Sequence, residues 1–469
     1  MEARSEARRE AYGGPRRRTV LFLMAETGTG HRSAANAIAS AMGAVGRSLG
    51  ERGCDIVIVD GIRECARFPL RYAVSLYGPA TKYCPQVFGS FFHLTDTPAR
   101  VEAARRLCQP LLAEGLRHLF ERVRPDVIVS THPFFGAVVP EVLRDCGLRV
   151  PFIAAITDLF TIHRVWLAPE VDTWIAPSER ARQFLLAGGI DDARIACMGL
   201  PIDPRFDPRF NPGIAMAPSD SPFARAPGRE REQTRAALGL DPQRSVALIV
   251  GGGEGVGGLA RLAPALEREE LGAQLVIVTG RNEALYRRLC ERRAAFRMPV
   301  RVLGFVENMP ELMRAADVLV SKAGSLTLSE ALACALPVVL MGALPGQEEG
   351  NVAFVETCRI GIFAPTPRQV VFHLRRLLAP GNDTLARMSA TARRLRRSGV
   401  AFDAAGLVFA HLPPASAPSV WDRRGMAHAP LTDSARENLA VETEGRSQNA
   451  PTPPQDPRAR VLIRDEVVV

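Results

Sequence analysis

The sequence predicts an α/β protein made of two Rossmann-like domains that face a central cleft. Three observations lead to this prediction. Short apolar runs alternate with helical segments in two series, over residues 19–206 and 232–412. A glycine-rich turn follows the first strand of each series. Between the series, residues 207–231 are rich in Pro, Ser, Ala, Asp and Arg and lack a hydrophobic period, which indicates a linker.

In the first series, the apolar runs predict strands over 19–25, 55–60, 126–130, 152–157 and 172–176. Helices are predicted between them, most clearly over 31–48 and 101–122. Because strand and helix alternate, we expect a parallel sheet. The series closes near MGLPIDPRF, residues 198–206.

In the second series, strands are predicted over 245–250, 274–279, 300–303, 317–320 and 337–341, again with helices between them. The helical pattern ends near Leu412. Residues 1–18 and 413–469 have the composition of chain that cannot bury a core, so we expect both termini to be disordered.

The composition excludes several classes of protein. No apolar run reaches the about 18 residues that a membrane-spanning helix needs. The apolar part of RRRTVLFLMA, residues 16–25, is too short for a signal peptide and continues into Glu26, so we expect a cytoplasmic protein. Nine scattered cysteines without a C-x-x-C motif indicate reduced thiols rather than a zinc site or a disulfide framework.

The basic residues have two interpretations. A net charge of +9 suits a polyanionic partner or an anionic membrane surface, although a general preference for arginine explains it equally well. Of the 59 basic residues, only Lys82 and Lys322 are lysines. Each either marks a site that needs a compact ammonium group or occurs by chance.

The stretch VALIVGGGEGVGGLARLAPAL, residues 246–266, predicts a strand, a glycine-rich turn and a helix. Such a turn lets main-chain amides approach a phosphate closely, which makes Gly252, Gly253 and Glu254 candidate binding residues. The alternative is a turn that only packs against the sheet. No acidic residue downstream is placed to hold a nicotinamide ribose, so dinucleotide binding is not favoured.

Residues 304–355 carry the densest motif. A strand ends at Lys322, and the turn at Gly324 opens a helix whose hydroxyl groups and amides suit a diphosphate. Glu330 is placed to accept hydrogen bonds from two ribose hydroxyls, and the loop 346–351 offers amide and carboxylate groups to a sugar. Alternatively, the hydroxyls only cap the helix and Glu330 is solvated. The candidate residues are Phe305, Val306, Lys322, Gly324, Ser325, Thr327, Glu330, Gln347, Glu348 and Asn351.

Several titratable side chains follow strands of the first series. His31 comes after the turn Gly28-Thr29-Gly30, and an imidazole with a pKa near 6.5 accepts a proton near neutral pH. The alternative is a histidine that caps or packs against the first helix. His132 in STHPFF and Asp158 in ITDLFTIHRVW also follow strands, and each either lines the acceptor side or is a structural loop residue.

The segment 67–96 places aromatic side chains beside basic ones, a combination that suits a membrane interface. The alternative is a mostly helical excursion packed on the first domain. The candidate residues for binding an acceptor or a membrane are Tyr72, Tyr77, Lys82, Phe88, Phe91 and Phe92.

Six motifs together carry a family resemblance: MAETGTGHRSAANAI, GLPIDPRF, GGGEG, GFVENMPELMRAAD, SKAGSLTLSEAL and GQEEGN. The chain resembles, over roughly residues 19–412, the monogalactosyldiacylglycerol synthases and processive diacylglycerol glucosyltransferases, which are related to the lipid II N-acetylglucosaminyltransferase. The chain departs from the family pattern at two places. Ser325-Leu326 stands where Pro-Gly is common, and Thr29 stands where a third glycine is common.

The resemblance implies a GT-B fold, a UDP-sugar bound by the second domain and an acceptor bound by the first. It also implies peripheral attachment to the inner face of the cell membrane and inverting chemistry without a cofactor or an obligatory metal. His31, beside Gly30, would then lie near the acceptor hydroxyl as the base.

We therefore predict an enzyme that moves galactose or glucose from a UDP-sugar to a lipid hydroxyl, with diacylglycerol as the first candidate and no nucleic-acid partner. The alternatives are a transferase for lipid II or a non-lipid aglycone, a UDP-sugar 2-epimerase of the same fold, and a basic binding protein that does not bind UDP.

Overall fold

The computed structural model describes residues 17–48, 54–73, 76–207, 227–252, 258–414 and 419–421. Residues 17–414 of this set fall within one compact unit. Residues 1–16, most of the linker and most of the C-terminal tail lie outside the described residues, and so do Gly253 and Glu254.

Six parallel strands form the first sheet in the order β2-β1-β3-β4-β5-β6. Their bounds are β1 (Thr19–Met24), β2 (Asp55–Asp60), β3 (Val127–Ser130), β4 (Phe152–Ala155), β5 (Thr173–Ala176) and β6 (Ile195–Cys197). Strand β1 pairs with β2 on one side, where Thr19 lies opposite Asp55, and with β3 on the other, where Val20 lies opposite Val127. The strand order reverses direction between β1 and β3, which is where open α/β sheets bind their ligands.

Helices cover both faces of this sheet. They are α1 (Gly30–Ser48), α2 (Gly61–Cys65), α3 (Leu70–Ala73), α4 (Tyr77–Tyr83), α5 (Pro85–Thr95), α6 (Pro98–Val123), α7 (Phe135–Asp145) and α8 (Glu179–Ala187). Short 3₁₀ helices follow at Arg164–Trp166, Asp192–Arg194 and Pro204–Phe206. The segment 67–96 therefore is mostly helical, through α3, α4 and α5, as the alternative interpretation of its sequence expected.

The second sheet repeats the plan, in the order β12-β11-β10-β7-β8-β9. Its strands are β7 (Val246–Val250), β8 (Gln274–Val278), β9 (Val300–Leu303), β10 (Val318–Lys322), β11 (Val338–Gly342) and β12 (Gly361–Phe363). Its helices are α9 (Pro227–Ala237), α10 (Leu259–Leu266), α11 (Glu283–Glu291), α12 (Met309–Ala315), α13 (Ser325–Ala333), α14 (Glu349–Thr357), α15 (Pro367–Leu377) and α16 (Thr384–Leu395), with a 3₁₀ helix at Arg293–Ala295. The two parallel sheets confirm the predicted α/β fold with two Rossmann-like halves.

The final helix, α17 (Val400–His411), returns to the first sheet. Its side chains at Phe402, Ala405 and Val408 are buried in one core with Val20 and Phe22 of β1. We expected residues 232–412 to form the second domain, but the last helix of that range completes the core of the first. The helix α9 likewise begins at 227, inside the range expected to be linker.

Candidate functional site

The two sheets bring their carboxyl ends to the same region of the molecule. His31, His132 and Asp158 follow β1, β3 and β4 of the first sheet. From the second sheet, the turn after β10 and the loop 344–348 after β11 contribute the side chains described below. Polar groups far apart in the sequence therefore meet between the two halves.

His31 is buried, with 9% of its surface exposed. Its Nδ1 lies 2.6 Å from the carbonyl oxygen of Thr131 and 3.0 Å from Oγ1 of Thr157. Since a carbonyl only accepts, Nδ1 carries the proton and Nε2 is the basic nitrogen. Within the described part of the chain, Nε2 has no hydrogen-bond partner. The ring is held in the tautomer that a general base requires, with the accepting nitrogen available.

Burial lowers the pKa of His31 below 6.5, and the nearby charge of Asp158 and the Thr131 carbonyl partly offset that shift. His132 lies against His31, with ring centroids 4.6 Å apart, and burial holds its pKa well below 6.5, with His31 adding to the shift. His132 Nδ1 accepts from the amide of Phe134 at 3.4 Å, so its Nε2 donates to Thr27 Oγ1 at 3.0 Å. Both imidazoles are therefore neutral at neutral pH.

Asp158 connects the two halves of the molecule. Its Oδ2 accepts from the indole nitrogen of Trp166 at 2.8 Å, and its Oδ1 accepts from Nε2 of Gln347 at 3.0 Å. Gln347 in turn accepts from the hydroxyl of Tyr77 at 3.1 Å through Oε1. Gln347 thus lies between two residues of the first half, although its loop follows β11 of the second sheet.

Lys322 and Glu348 form an ion pair on the second side of the cleft, with Nζ 2.5 Å from Oε1. The carboxylate is buried, and its Oε2 accepts from the amide of Leu344 at 2.8 Å. Glu348 was predicted as a donor-binding residue. In the structure its oxygens hold Lys322 and the loop 344–348, so it shapes the loop that presents Gln347.

Helix α13 begins at Ser325 behind Gly324, and no side chain caps it. The hydroxyls of Ser325 and Thr327 therefore do not have the capping role that was the alternative interpretation. Asn351 is fully buried and donates through Nδ2 to Ala323 O at 2.7 Å and to Ser325 Oγ at 3.2 Å. The first amides of α13 have no partner within the helix, which makes this end suited to an anion.

Glu330 lies one turn into α13 and is half-buried. Burial raises its pKa from 4.5 to about 8, and the charge of Asp203 adds to the shift. The carboxyl group is therefore mainly protonated at neutral pH in this structure. Asp203 belongs to GLPIDPRF at the end of the first series, so the pKa of Glu330 depends on a charge from the first half of the molecule.

Phe305 and Val306 follow β9, which is an edge strand of the second sheet. Phe305 is 57% exposed, and the guanidinium carbon of Arg281 lies 4.6 Å from its ring centroid. Val306 instead packs against the core. Arg281 was not among the predicted site residues. It follows β8 by three residues, and residues just beyond strand ends are where parallel sheets bind ligands. Gly252 has a φ of +76° at the end of β7, a conformation that favours glycine.

The aromatic residues of the segment 67–96 divide into two groups. Phe88 and Phe92 are half-buried; the ring of Phe88 lies 5.5 Å from that of Tyr77, and Phe92 packs against His163 at 4.9 Å. Tyr72, Lys82 and Phe91 are exposed. Within this segment, the large apolar side chains with more than half of their surface exposed are Phe68, Tyr72, Leu76, Tyr83, Val87, Phe91 and Leu94, and Leu107 on α6 is exposed as well.

A membrane-spanning helix and a metal-binding cluster are both absent from the described residues. None of the helices in the described ranges combines the length and the hydropathy that crossing a bilayer requires. Across those same ranges, no three His, Cys, Asp or Glu side chains gather into a set that could hold a metal ion.

Comparison with known proteins gives two family matches. Residues 31–202 match the model described as monogalactosyldiacylglycerol (MGDG) synthase, and residues 246–352 match the glycosyltransferase family 28 C-terminal domain. Monogalactosyldiacylglycerol synthase 3, chloroplastic, of Arabidopsis thaliana is 31% identical over 406 residues, which covers 84% of this chain and 81% of that protein. The probable monogalactosyldiacylglycerol synthase 3, chloroplastic, of Oryza sativa subsp. japonica is 32% identical over 403 residues, covering 83% and 74%.

Solved structures of low sequence identity share the fold. MurG of Acinetobacter baumannii superposes with a TM-score of 0.52 at 15% identity, over 84% of this chain and 99% of that chain. A UDP-GlcNAc 2-epimerase from Neisseria meningitidis bound to UDP-GlcNAc gives 0.50 at 13% identity, over 84% and 99%. These likenesses confirm the predicted GT-B architecture.

Proposed function

This chain belongs to the monogalactosyldiacylglycerol synthase family of glycosyltransferases, and we propose that it transfers the galactosyl group of UDP-galactose to the free hydroxyl of diacylglycerol. The names of the relatives support galactose and diacylglycerol as the two reactants. The observation that carries the proposal is His31, a buried neutral imidazole whose Nδ1 is held by Thr131 while its Nε2 has no described partner.

The proposed reaction is a single displacement. The acceptor oxygen forms a bond to the anomeric carbon as the bond from that carbon to the β-phosphate oxygen breaks, and UDP leaves with the electron pair. The hydroxyl proton passes to Nε2 of His31. Attack opposite the leaving group inverts the anomeric configuration, so an α-linked donor gives a β-linked galactolipid.

The second half would bind the donor. The free amides at the start of α13, with Ser325 and Thr327, are suited to the diphosphate and to the negative charge that develops on it. Glu330 would contact the ribose and Gln347 the transferred sugar. Because helix amides stabilise the leaving group, we propose that no divalent metal is required.

The enzyme would act at a membrane surface to which it binds peripherally. On helix α5, Val87, Phe91 and Leu94 are exposed and lie at positions i, i+4 and i+7, so they share one face of the helix. We call these three residues the docking stripe. Lys82 lies exposed on the preceding helix and can contact anionic headgroups.

The function is tested with purified protein, UDP-galactose and vesicles that contain diacylglycerol and phosphatidylglycerol. We expect a β-galactolipid and stoichiometric UDP, slower transfer from UDP-glucose, and a rate that EDTA leaves unchanged. UDP release without a lipid product would contradict the transfer reaction. Conversion of the donor into its 2-epimer in the absence of lipid would favour the epimerase alternative.

Membrane binding is tested separately by vesicle sedimentation. Phe91→Ser should reduce the bound fraction, because it removes the central apolar side chain of the docking stripe, which is 60% exposed. Phe372→Ser is the matched control, since Phe372 is 54% exposed but lies on α15 of the second half. Equal losses in the two variants would place membrane contact elsewhere.

A further inference from the structure

We propose that Tyr77 is a positioning residue for the donor sugar, because its hydroxyl fixes the side-chain amide of Gln347 in one orientation across the cleft. The inference rests on the proposed function in one respect, namely that Gln347 contacts the transferred hexose. Tyr77 belongs to the segment that the sequence assigned to acceptor and membrane binding. In the structure it acts on the donor side.

The carboxylate of Asp158 determines which end of the amide faces which neighbour. An ionised carboxylate only accepts hydrogen bonds, so the Gln347 group 3.0 Å from Oδ1 is the NH₂ group. The amide oxygen then faces Tyr77, 3.1 Å away, and the tyrosine must donate. Trp166 donates to the other carboxylate oxygen and keeps Asp158 in place.

Tyr77 is well placed to remain a donor. Burial raises its pKa above 10, and the charges of Asp158 and Glu348 add to the shift, so the hydroxyl stays protonated. Its ring packs edge-on against Phe88 at 5.5 Å. A Cβ added to Gly28 would lie 3.9 Å from the same ring, so Tyr77 also borders the turn that leads to His31.

A fixed amide has a consequence for sugar recognition. With one N–H used by Asp158 and one lone pair used by Tyr77, Gln347 keeps one N–H and one lone pair in defined directions. Galactose and glucose differ only in the direction of one hydroxyl. An amide of fixed polarity can distinguish them, whereas an amide that is free to rotate presents either group in either direction. Tyr77 therefore contributes to hexose selectivity through Gln347.

The test compares Tyr77→Phe with Tyr83→Phe, a control on the same helix whose ring is exposed. Calorimetry with UDP and with UDP-galactose separates nucleotide binding from sugar binding. For Tyr77→Phe we expect unchanged UDP affinity, UDP-galactose affinity lower by about 3- to 10-fold, and a ratio of kcat/KM for the two hexoses that moves towards one by about the same factor. Tyr83→Phe should match wild type in UDP and UDP-galactose affinity.

A double-mutant cycle checks that the effect passes through Gln347. In a Gln347→Ala background, Tyr77→Phe should cause no further loss of UDP-galactose affinity. Full additivity of the two losses, or an unchanged hexose ratio in Tyr77→Phe, would overturn the inference. If wild type itself neither binds UDP-galactose nor transfers galactose, the proposed function fails instead, and that result is distinct from a wild-type-like Tyr77→Phe.

Discussion

Helix α5 contacts the loop 344–348 so closely at Gly89 that adding one methyl group there should displace the loop. A Cβ on Gly89 would lie 2.5 Å from Cβ of Pro345 and 3.2 Å from the carbonyl carbon and oxygen of that residue. Carbon atoms pack at about 3.5–4.0 Å, so the loop must move by about 1 Å in Gly89→Ala. Overpacking of this kind costs about 1–3 kcal/mol.

Helix propensity works in the opposite direction. Alanine is favoured over glycine inside a helix by about 0.5–1 kcal/mol. Gly78→Ala isolates that gain, since Gly78 lies in α4 and a Cβ there meets nothing within 4 Å. The difference between the two variants therefore reports the clash with Pro345, and we expect it to be about 1–3 kcal/mol.

The assay is steady-state kinetics with calorimetry of donor binding. Movement of Pro345 also moves Gln347, two residues further on, so Gly89→Ala should raise KM for the donor by about 5- to 30-fold. Gly78→Ala should leave KM unchanged and raise Tm. If Gly89→Ala had wild-type KM and kcat, the loop would be free to move without cost, and the reasoning about a close contact would be refuted.

Three further variants test the titratable groups. His31→Gln should lower kcat by about 10²–10⁴-fold with UDP affinity unchanged, and near-wild-type turnover would exclude a base role. Asp158 raises the pKa of His31, so Asp158→Asn should move the acid limb of the pH–rate profile to lower pH; a limb that stays in place contradicts this. Ionisation of Glu330 costs stability as pH rises from 4.5 to about 8, so Glu330→Gln should raise Tm more at about pH 9 than at about pH 5, by calorimetry.

The strands could be predicted because buried parallel strands read as continuous apolar runs. Ten of them lie within two residues of the ranges expected from the sequence. The two that were missed, β6 and β12, are three residues long and occupy the edges of their sheets. Short edge strands bury little apolar surface, so they leave no such run.

Only the part of the site that lies directly after strands could be predicted from the sequence. His31, His132 and Asp158 follow strands, and the topology alone places them at one edge. The contact between Tyr77 and Gln347 joins residues 270 positions apart, and no local pattern encodes it. The role of Glu348 as a support for its own loop depends on burial, which a polar loop sequence does not indicate.

The return of α17 to the first sheet has a consequence for synthesis on the ribosome. The core around Val20 and Phe22 includes Phe402 and Val408, so the first sheet lacks one of its covering helices until residues 400–411 have been synthesised. At about 5–20 residues per second, translation of residues 207–400 takes on the order of 10–40 s. Throughout that time the nascent chain exposes apolar surface, which is the feature that makes partly folded chains prone to aggregation. Release of a fragment that ends at 206 would leave that surface permanently uncovered.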